Sequence, residues 1–248
     1  MQTATPSHRG TGTPGTRKLG FVVIAMMAAL VLCGLFFSAE DVDQGSSVRI
    51  MYVHVPSIWV AYIAFGLTAV CSGVYLSARS RSLAWDRVAG ASGEIGVLFV
   101  AVSLVTGSLW GRLSWGTYWV WDARLTSTAF LFITYVGYLA VRRLGGTHRQ
   151  RARRSSVLAL LAILEIPLVH FSVNMWRTLH QESSVADRGT DVKMDGLMLF
   201  SLFLGLFTFT LLYVWLLLHR QRVLALEDMV VDRGLDAAIA ERRSEAVN

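Results

Sequence analysis

Charged side chains are scarce in this chain of 248 residues: Asp, Glu, Lys and Arg make up only 16%, whereas 54% of the residues are hydrophobic. Soluble domains usually carry a charge on about a quarter of their residues. The deficit therefore excludes an ordinary soluble domain. Cysteine is also rare, because only Cys33 and Cys71 are present. Both lie in apolar runs and form no C-x-x-C pair, so the sequence indicates neither a disulfide framework nor a thiol-exchange centre.

Several common catalytic motifs are missing as well. No segment fits G-x-x-x-x-G-K-(S/T), so the chain cannot by itself hydrolyse ATP through a P-loop. H-E-x-x-H does not occur, and no three histidines are spaced as a zinc site requires. We therefore expect that the chain is not an enzyme, and that any ATP is used by a partner.

Long apolar runs dominate what is present. A helix that crosses a hydrocarbon core about 30 Å thick needs roughly 20 apolar residues, and six runs come close to this length. The sequence therefore predicts an all-α integral membrane protein with six transmembrane helices. The predicted spans cover approximately residues 19–38, 58–78, 88–110, 125–141, 156–173 and 196–218.

The Lys and Arg residues predict how these helices are oriented. Basic residues in short connections tend to remain on the cytoplasmic side of a membrane. If both termini are cytoplasmic, 17 of the 23 basic residues lie on the inner side and six on the outer side. This bias also accounts for most of the +6 net charge, so we do not expect binding to nucleic acid.

The chain divides into three parts. Residues 1–18 are rich in Thr, Gly, Ser and Pro without apolar periodicity, and they predict a disordered cytoplasmic arm. Residues 19–218 form the six-span domain, whose first run we interpret as a retained span, because no clear A-x-A cleavage site precedes Glu40. Residues 219–248 alternate acidic, apolar and basic residues at helical spacing and predict a cytoplasmic helical tail.

The connection between the third and fourth spans is unusually aromatic. An interfacial belt is one explanation, because Trp and Tyr favour the headgroup region. However, six of the eight tryptophans lie at or beyond predicted outer helix ends, a bias that a symmetric belt does not predict. An apolar, planar ligand held at the outer surface would explain it, since large rings stack on conjugated systems. The candidate platform residues are Trp110, Trp115, Tyr118, Trp119, Trp121 and Asp122.

Charged residues flank this aromatic connection. Asp122 directly precedes the fourth span and equally well serves as its N-cap. Arg124 opposes the helix macrodipole and lies on the side that basic residues avoid, so it is a candidate for binding an anionic ligand. Planar carboxylates such as heme propionates suit a guanidinium fork. Arg112 and Arg177 are the second candidates.

Two histidines lie at the same predicted depth at outer helix ends. His54 precedes Pro56, which suits the first position of the second span, and His170 lies near the outer end of the fifth. A single histidine at a helix end is more often structural. Two neutral imidazoles at one depth, however, can occupy both axial positions of a heme iron. His180, in the same short segment as Trp176, is a reserve ligand or a partner contact.

Two carboxylates, Glu94 and Glu165, lie within predicted spans and suggest proton or ion passage. Simpler explanations are open: Glu94 lies near the inner edge, where solvent reaches it, and Glu165 is neutral or pairs with polar groups of neighbouring helices. A heme or small-solute transporter or channel, which needs a polar path through broken helices, is the main alternative function. A structural docking subunit of an ABC-type exporter is the second.

One segment resembles a known signature. Trp115-Gly-Thr-Tyr-Trp-Val-Trp-Asp-Ala-Arg-Leu-Thr-Ser127 is similar to the tryptophan-rich motif of heme-handling proteins of cytochrome c assembly. Together with Tyr-Val-His-Val-Pro at His54 and Val-His-Phe-Ser-Val at His170, it makes residues 50–218 resemble one branch, the heme exporter protein C family of the cytochrome c maturation system. Tyr118 departs from the usual pattern, in which tryptophan is commoner.

The resemblance carries expectations about function. It implies that the protein binds heme b at the periplasmic face of the bacterial inner membrane and delivers it to a heme chaperone for c-type cytochrome maturation. The implied partners, besides that chaperone, are an ABC-type ATPase, a membrane permease subunit and a small single-span membrane subunit. The implied axial ligands are His54 and His170, and the implied heme platform consists of Trp115, Trp119, Trp121 and Asp122.

Overall fold

The computed structural model describes residues 12–77, 81–180 and 194–245, and these ranges contain helices and no strand. Six helical stretches are long and apolar enough to cross a membrane, with α5 and α6 together forming the fifth. The predicted all-α fold with six spans is therefore confirmed. The helices are α1 (Pro14–Val31), continued by a π-helical turn (Leu32–Phe37), a 3-10 turn (Ser46–Ile50), α2 (Met51–Ser77), α3 (Leu83–Trp115), α4 (Ala123–Arg143), α5 (His148–Ala162), α6 (Glu165–Met175) and α7 (Gly196–Glu245).

The first helix begins five residues before the predicted start of the first span. Pro14 occupies its first turn, and the hydroxyl of Thr13 accepts the backbone N–H of Thr16 at 3.2 Å, which caps the helix. Residues 1–11 of the predicted disordered arm lie outside the described residues. Residues 181–193, in the predicted connection between the fifth and sixth spans, also lie outside the described residues.

The prediction that Pro56 opens the second span is wrong. The 3-10 turn leads directly into α2 at Met51, so the proline lies inside the helix. Gly205 of α7 packs closely against this part of α2, because a Cβ at Gly205 would lie 3.0 Å from Cγ of Pro56 and 3.2 Å from the Tyr52 carbonyl oxygen. His54 is therefore a residue of the first turn of α2 and not of a preceding loop.

The centre of α2 is the core of the bundle. Val60, Ala61, Ala64 and Phe65 are fully buried. The ring of Phe65 stacks on a tyrosine of α4 at the same level, with ring centroids 3.5 Å apart. Small residues of α3 allow the close approach of its neighbours. These contacts hold the relative positions of α2, α3 and α4, which carry most of the candidate site.

Both carboxylates of the predicted spans have local partners. Oε1 of Glu165 accepts a hydrogen bond from the hydroxyl of Thr134 at 2.8 Å, next to the break between α5 and α6. The guanidinium of Arg220 bonds to both carboxylate oxygens of Glu94. Pairing with a neighbouring helix therefore accounts for Glu94, as a half-buried carboxylate requires. Glu165 is paired through Oε1 alone, because its Oε2 is buried and has no hydrogen-bond partner among the described residues.

The end of the bundle that holds the start of α3 and the end of α4 carries an ion-pair network, and we name it the inner end after its predicted side of the membrane. Asp86, 1% exposed, accepts bonds from Arg142 at 2.6 and 3.1 Å and lies 3.7 Å from Arg151. Asp228 of α7 pairs with Arg151 at 3.3 Å and with Arg87 at 3.5 Å. Because α7 is one unbroken helix, the predicted cytoplasmic tail continues the sixth span.

Candidate functional site

The opposite end of the bundle, which we name the outer end, collects the histidines and the aromatic connection. His54 projects from α2 onto α3. Its Nδ1 lies 3.0 Å from the backbone oxygen of Ser103 and 3.2 Å from Oγ1 of Thr106. A carbonyl oxygen can only accept, so Nδ1 carries the proton and Nε2 keeps a lone pair. A histidine oriented in this way is prepared to bind a metal through Nε2.

One face of α3 forms a seat for this imidazole. Ser103, Thr106, Gly107 and Trp110 recur at the i, i+3, i+4 and i+7 spacing of a single helix face. A Cβ on Gly107 would lie 2.8 Å from Cε1 of His54, so only glycine leaves the ring in place. The Trp110 ring meets His54 edge-on, with centroids 5.8 Å apart. Sequence reasoning identified Trp110 alone, although the polar and small residues at this spacing in an apolar span are a detectable signal.

His180 lies opposite His54. The two ring centroids are 6.4 Å apart, and the planes are inclined at 34°. Two imidazoles that coordinate one metal ion through bonds of about 2 Å have centroids roughly 6 Å apart. The His180 ring also meets Trp115, with centroids 6.3 Å apart. The structure thus brings His180, the reserve ligand of the sequence prediction, to the distance at which a shared metal fits.

His170 has different neighbours. Its exposed side chain meets the ring of Tyr62 at 6.3 Å and that of Phe171 at 5.0 Å. Tyr62 follows His54 by eight residues in α2, which corresponds to about 12 Å along the helix axis. The predicted pair of His54 and His170 is therefore not brought together in the way that His54 and His180 are. His170 lies five residues before the end of α6, deeper in the bundle than its position in the sequence suggests.

The aromatic connection forms an exposed surface over the outer end. Gly116, at a φ of +78°, ends α3 in the left-handed conformation that favours glycine. The hydroxyl of Ser108 donates a hydrogen bond to the Tyr118 carbonyl oxygen at 2.6 Å. Trp121 is 83% exposed and Tyr118 57% exposed, although both are large apolar rings. Exposed rings at such density form a surface suited to an apolar, planar ligand.

Trp119 differs from its exposed neighbours. Its ring meets that of Trp121 edge-on, with centroids 5.6 Å apart. Its indole Nε1 is buried and finds no hydrogen-bond partner within the described part of the chain. Buried donors are rarely left unpaired, so this N–H is an available donor for an acceptor that the described residues do not supply.

Asp122 connects two parts of the site. Its Oδ1 accepts the backbone N–H of Leu125 at 2.8 Å, so the predicted N-cap is present. Its Oδ2 accepts the backbone N–H of Leu179 at 3.3 Å. The carboxylate thereby attaches the residues next to His180 to the start of α4.

The three candidate arginines are placed differently. Arg124 donates to the backbone oxygen of His170 at 2.7 Å and so connects α4 with α6. Arg112 donates to the Gly116 carbonyl and lies 5.6 Å from the centroid of the Tyr118 ring. Arg177 is exposed and lines two open clefts. It is therefore the best placed of the three for an anionic group of a ligand.

The two clefts lie side by side at this end. The smaller has a volume of about 290 Å³ and is lined by Trp121, Asp122 and Arg177 among others. The larger has a volume of about 580 Å³ and is lined by Trp176, Arg177 and His180 among others. Cavities of roughly 300–1,000 Å³ are typical of sites for cofactors and other small molecules. Five of the candidate residues thus border open clefts at this end: Trp121, Asp122, Trp176, Arg177 and His180.

The chain matches known proteins over most of its length. The family model described as heme exporter protein C matches residues 10–233. The chain is 40% identical over 219 residues to heme exporter protein C of Bradyrhizobium diazoefficiens, covering 84% of this chain and 82% of that protein. The proteins of the same name from Haemophilus influenzae and Escherichia coli K12 are each 36% identical, over 211 and 210 residues, covering 84% of this chain and 83% and 82% of their own lengths.

Proposed function

The chain belongs to the heme exporter protein C family, and from this premise we propose that it binds heme b at its outer end and delivers it to a heme chaperone. Membership confirms the resemblance seen in the tryptophan-rich motif. It also assigns the chain a role in heme handling for cytochrome c maturation, as a multi-pass membrane component and not an enzyme. The ligand, the site and the delivery step form the proposal.

The observation that carries the proposal is the pair of facing imidazoles. His54 offers the lone pair of Nε2, because its Nδ1 proton is held by the Ser103 carbonyl. The 6.4 Å separation of the His54 and His180 ring centroids leaves room for an iron between them. We therefore propose His54 and His180 as the axial ligands. His170, which the sequence suggested, is the alternative second ligand.

The residues around this pair suit the remainder of a heme. The rings of Trp115, Tyr118, Trp119 and Trp121 supply apolar, planar surface. The unpaired N–H of Trp119 and the exposed guanidinium of Arg177 supply donors for carboxylates such as the propionates. Because Tyr118 and Trp121 are largely exposed, one edge of a bound heme would remain accessible to a chaperone at the membrane surface.

The location and partners are part of the same proposal. The excess of basic residues on one side predicts that the inner end faces the cytoplasm, so the heme site would face the periplasm of a bacterial inner membrane. Membership of this family supports assembly with other components of a heme exporter. We propose that these components are the ones that the sequence resemblance implies: an ABC-type ATPase, a permease subunit and a small single-span subunit. Since this sequence contains no P-loop motif, the ATPase would be that separate subunit.

Absorption spectroscopy of the purified protein tests the proposal. We expect wild-type protein, made with ample heme, to show a Soret band of a six-coordinate bis-histidine heme. His54→Ala and His180→Ala should each alter or abolish it, whereas His170→Ala should retain it. Loss in His54→Ala and His170→Ala with no change in His180→Ala would return the second ligand to His170. A wild type without heme, purified with its partners, would instead support a docking subunit.

Delivery is tested separately, by loading of the chaperone. Cells that carry His54→Ala or His180→Ala should accumulate less chaperone with covalently bound heme than cells with the wild-type protein. Normal loading in both variants would refute the delivery step. A transporter would differ in another way, because it should move heme between the two sides of a reconstituted vesicle in the absence of chaperone.

A further inference from the structure

The first outer connection contains a turn with its own fixed geometry. Oδ1 of Asp41 accepts the backbone N–H groups of Asp43 and Gln44 at 2.9 and 2.8 Å. The backbones of Asp41 and Gly45 exchange two hydrogen bonds, of 3.2 and 2.9 Å, and Gly45 has a φ of +58°. The hydroxyl of Ser47 donates to the Gln44 carbonyl at 2.7 Å. Both backbone polar groups of Gln44 are therefore held in place.

The side chain of this glutamine reaches α3. Oε1 of Gln44 accepts the indole N–H of Trp110 at 2.6 Å. Indole has a single donor and no acceptor, so this bond defines how the half-buried ring is rotated. A residue of a turn that is remote in sequence thus determines the position of the ring that borders His54.

Trp110 limits the movement of the imidazole. The two ring planes are at 78° with centroids 5.8 Å apart, an edge-to-face contact. The bond from Nδ1 of His54 to the Ser103 carbonyl restrains the ring at one position, about which it can still pivot. The Trp110 contact restrains it at a second position, and two restraints determine where Nε2 points.

From these contacts we propose that Gln44 is a positioning residue for the heme ligand His54 and that it acts through Trp110. The proposal rests on the proposed ligation of heme iron by His54. Gln44 has no role in the ligation itself. Removing its amide oxygen leaves the Trp110 N–H without this acceptor, allows the ring to rotate and releases the imidazole. The His54 imidazole, which would hold the iron, then varies in orientation.

The experiment uses the full-length, heme-loaded protein in detergent. Gln44→Met removes the acceptor at similar side-chain length, and Gln44→Glu retains an acceptor. Trp110→Phe retains an aromatic ring and removes the donor. Asp43→Asn is the matched control, because its exposed side chain belongs to the same turn. The readouts are the low-spin ferric signal in electron paramagnetic resonance, which reports the orientation of axial histidines, and the rate of heme loss to excess apo-globin.

The proposal predicts a specific pattern. Gln44→Met should broaden the low-spin signal and speed heme loss about tenfold, the effect of losing one partially buried hydrogen bond. Asp43→Asn should stay within about twofold of wild type. Gln44→Glu retains the acceptor for Trp110 and should therefore lose heme more slowly than Gln44→Met. The double variant Gln44→Met with Trp110→Phe should lose heme no faster than the worse single variant, because both substitutions break one bond. If Gln44→Met does not accumulate, Trp110→Phe tests the same bond.

Two results would overturn the proposal. One is a Gln44→Met protein with the signal and heme-loss rate of Asp43→Asn. The other is a double variant whose effects multiply, since Gln44 and Trp110 would then act independently. Failure of the proposed function would look different. A wild type without a bis-histidine signal, or a signal unaffected by His54→Ala, would overturn both the proposed heme ligation and the role of Gln44. If the wild-type signal is intact and depends on His54, the results for Gln44→Met test the role of Gln44 alone.

Discussion

The two ends of the helix bundle satisfy their polar groups in opposite ways. At the inner end, Asp86 and Arg142 form a buried, doubly hydrogen-bonded pair, and Asp228 connects further arginines to α7. At the outer end, the charged groups of Asp122 and Arg124 bond to backbone atoms of neighbouring segments. There, the rings of Tyr118 and Trp121 are exposed, and the buried indole N–H of Trp119 has no partner within the described residues.

This difference separates a structural end from the end at which we propose that heme binds. Buried charges that pair with one another leave little capacity for a ligand, and they connect four helices. Side chains that bond to backbone oxygens and N–H groups hold a loop in shape and leave aromatic faces and a histidine lone pair available. A substitution at the inner end should therefore act mainly on stability, whereas substitutions at the outer end should act mainly on heme retention.

Asp86→Ala should have the largest effect, on stability. It leaves the guanidinium of Arg142, whose side chain is only 10% exposed, without its main partner. Breaking such a buried pair costs about 3–5 kcal/mol. Thermal unfolding in detergent, followed by circular dichroism, should show a large fall in the midpoint, while the folded fraction keeps the heme spectrum of wild type. Glu227→Gln, at a position 56% exposed, is the control and should change little. Equal midpoints in the two variants would contradict the structural role of Asp86.

Gly107→Ala should have the next largest effect, this time on heme retention. The added Cβ would lie 2.8 Å from Cε1 of His54, so the imidazole must move. Overpacking of this kind costs about 1–3 kcal/mol of stability, so we expect a modest fall in the unfolding midpoint. Because the imidazole is displaced, heme loss should be about tenfold faster. Gly137→Ala is matched to it, because a Cβ there meets nothing within 4 Å. Equal heme retention in both variants would refute the claim that α3 positions the His54 imidazole at Gly107.

Thr106→Val should have a smaller effect. Its hydroxyl oxygen lies 3.2 Å from Nδ1 of His54, beside the stronger bond to the Ser103 carbonyl. Loss of one such bond costs about 1 kcal/mol, so heme loss should be about fivefold faster. Thr106→Ser keeps the hydroxyl and should restore wild-type behaviour. The measurement is heme loss to excess apo-globin, and a serine variant as impaired as the valine variant would argue against the hydrogen bond.

Arg177→Gln should have the smallest effect. The residue is exposed, and an exposed charge pair contributes only about 0.2–1 kcal/mol. We expect about twofold faster heme loss at low ionic strength and a smaller difference in high salt, because salt screens exposed charges. Arg233→Gln in the exposed part of α7 provides the control. An effect of Arg177→Gln that does not depend on salt would exclude a charge interaction with a propionate.

Much of the fold follows from the sequence, but some helix boundaries do not. Six apolar runs were sufficient to predict six spans, because the length needed to cross a membrane is a local property. The start of α2 was mispredicted at Pro56, since proline is common at the first helical position. The structure instead places Pro56 inside α2 and against Gly205 on α7, a contact between residues distant in sequence.

The candidate site was predicted only in part, because some of its contacts also join residues that are distant in sequence. His54 and the tryptophans of the aromatic connection stand out in the sequence by residue type and position. The proposed partner of His54 does not, because His170 lies near the outer end of the fifth predicted span and His180 follows that span closely in sequence. The contact of Asp122 with the backbone of Leu179 attaches the residues next to His180 to the aromatic connection. No local sequence pattern predicts that contact.

The sequence by itself determined that this protein crosses a membrane six times, that it belongs to a heme-handling family and which residue types it offers a ligand. These properties depend on hydrophobic length and on a contiguous motif, both of which are local. Only the tertiary structure decided that His54 faces His180, that one face of α3 seats the imidazole and that Gln44 reaches Trp110. Such pairings depend on which faces of distant helices meet, and a span that is apolar on nearly all sides does not specify that face.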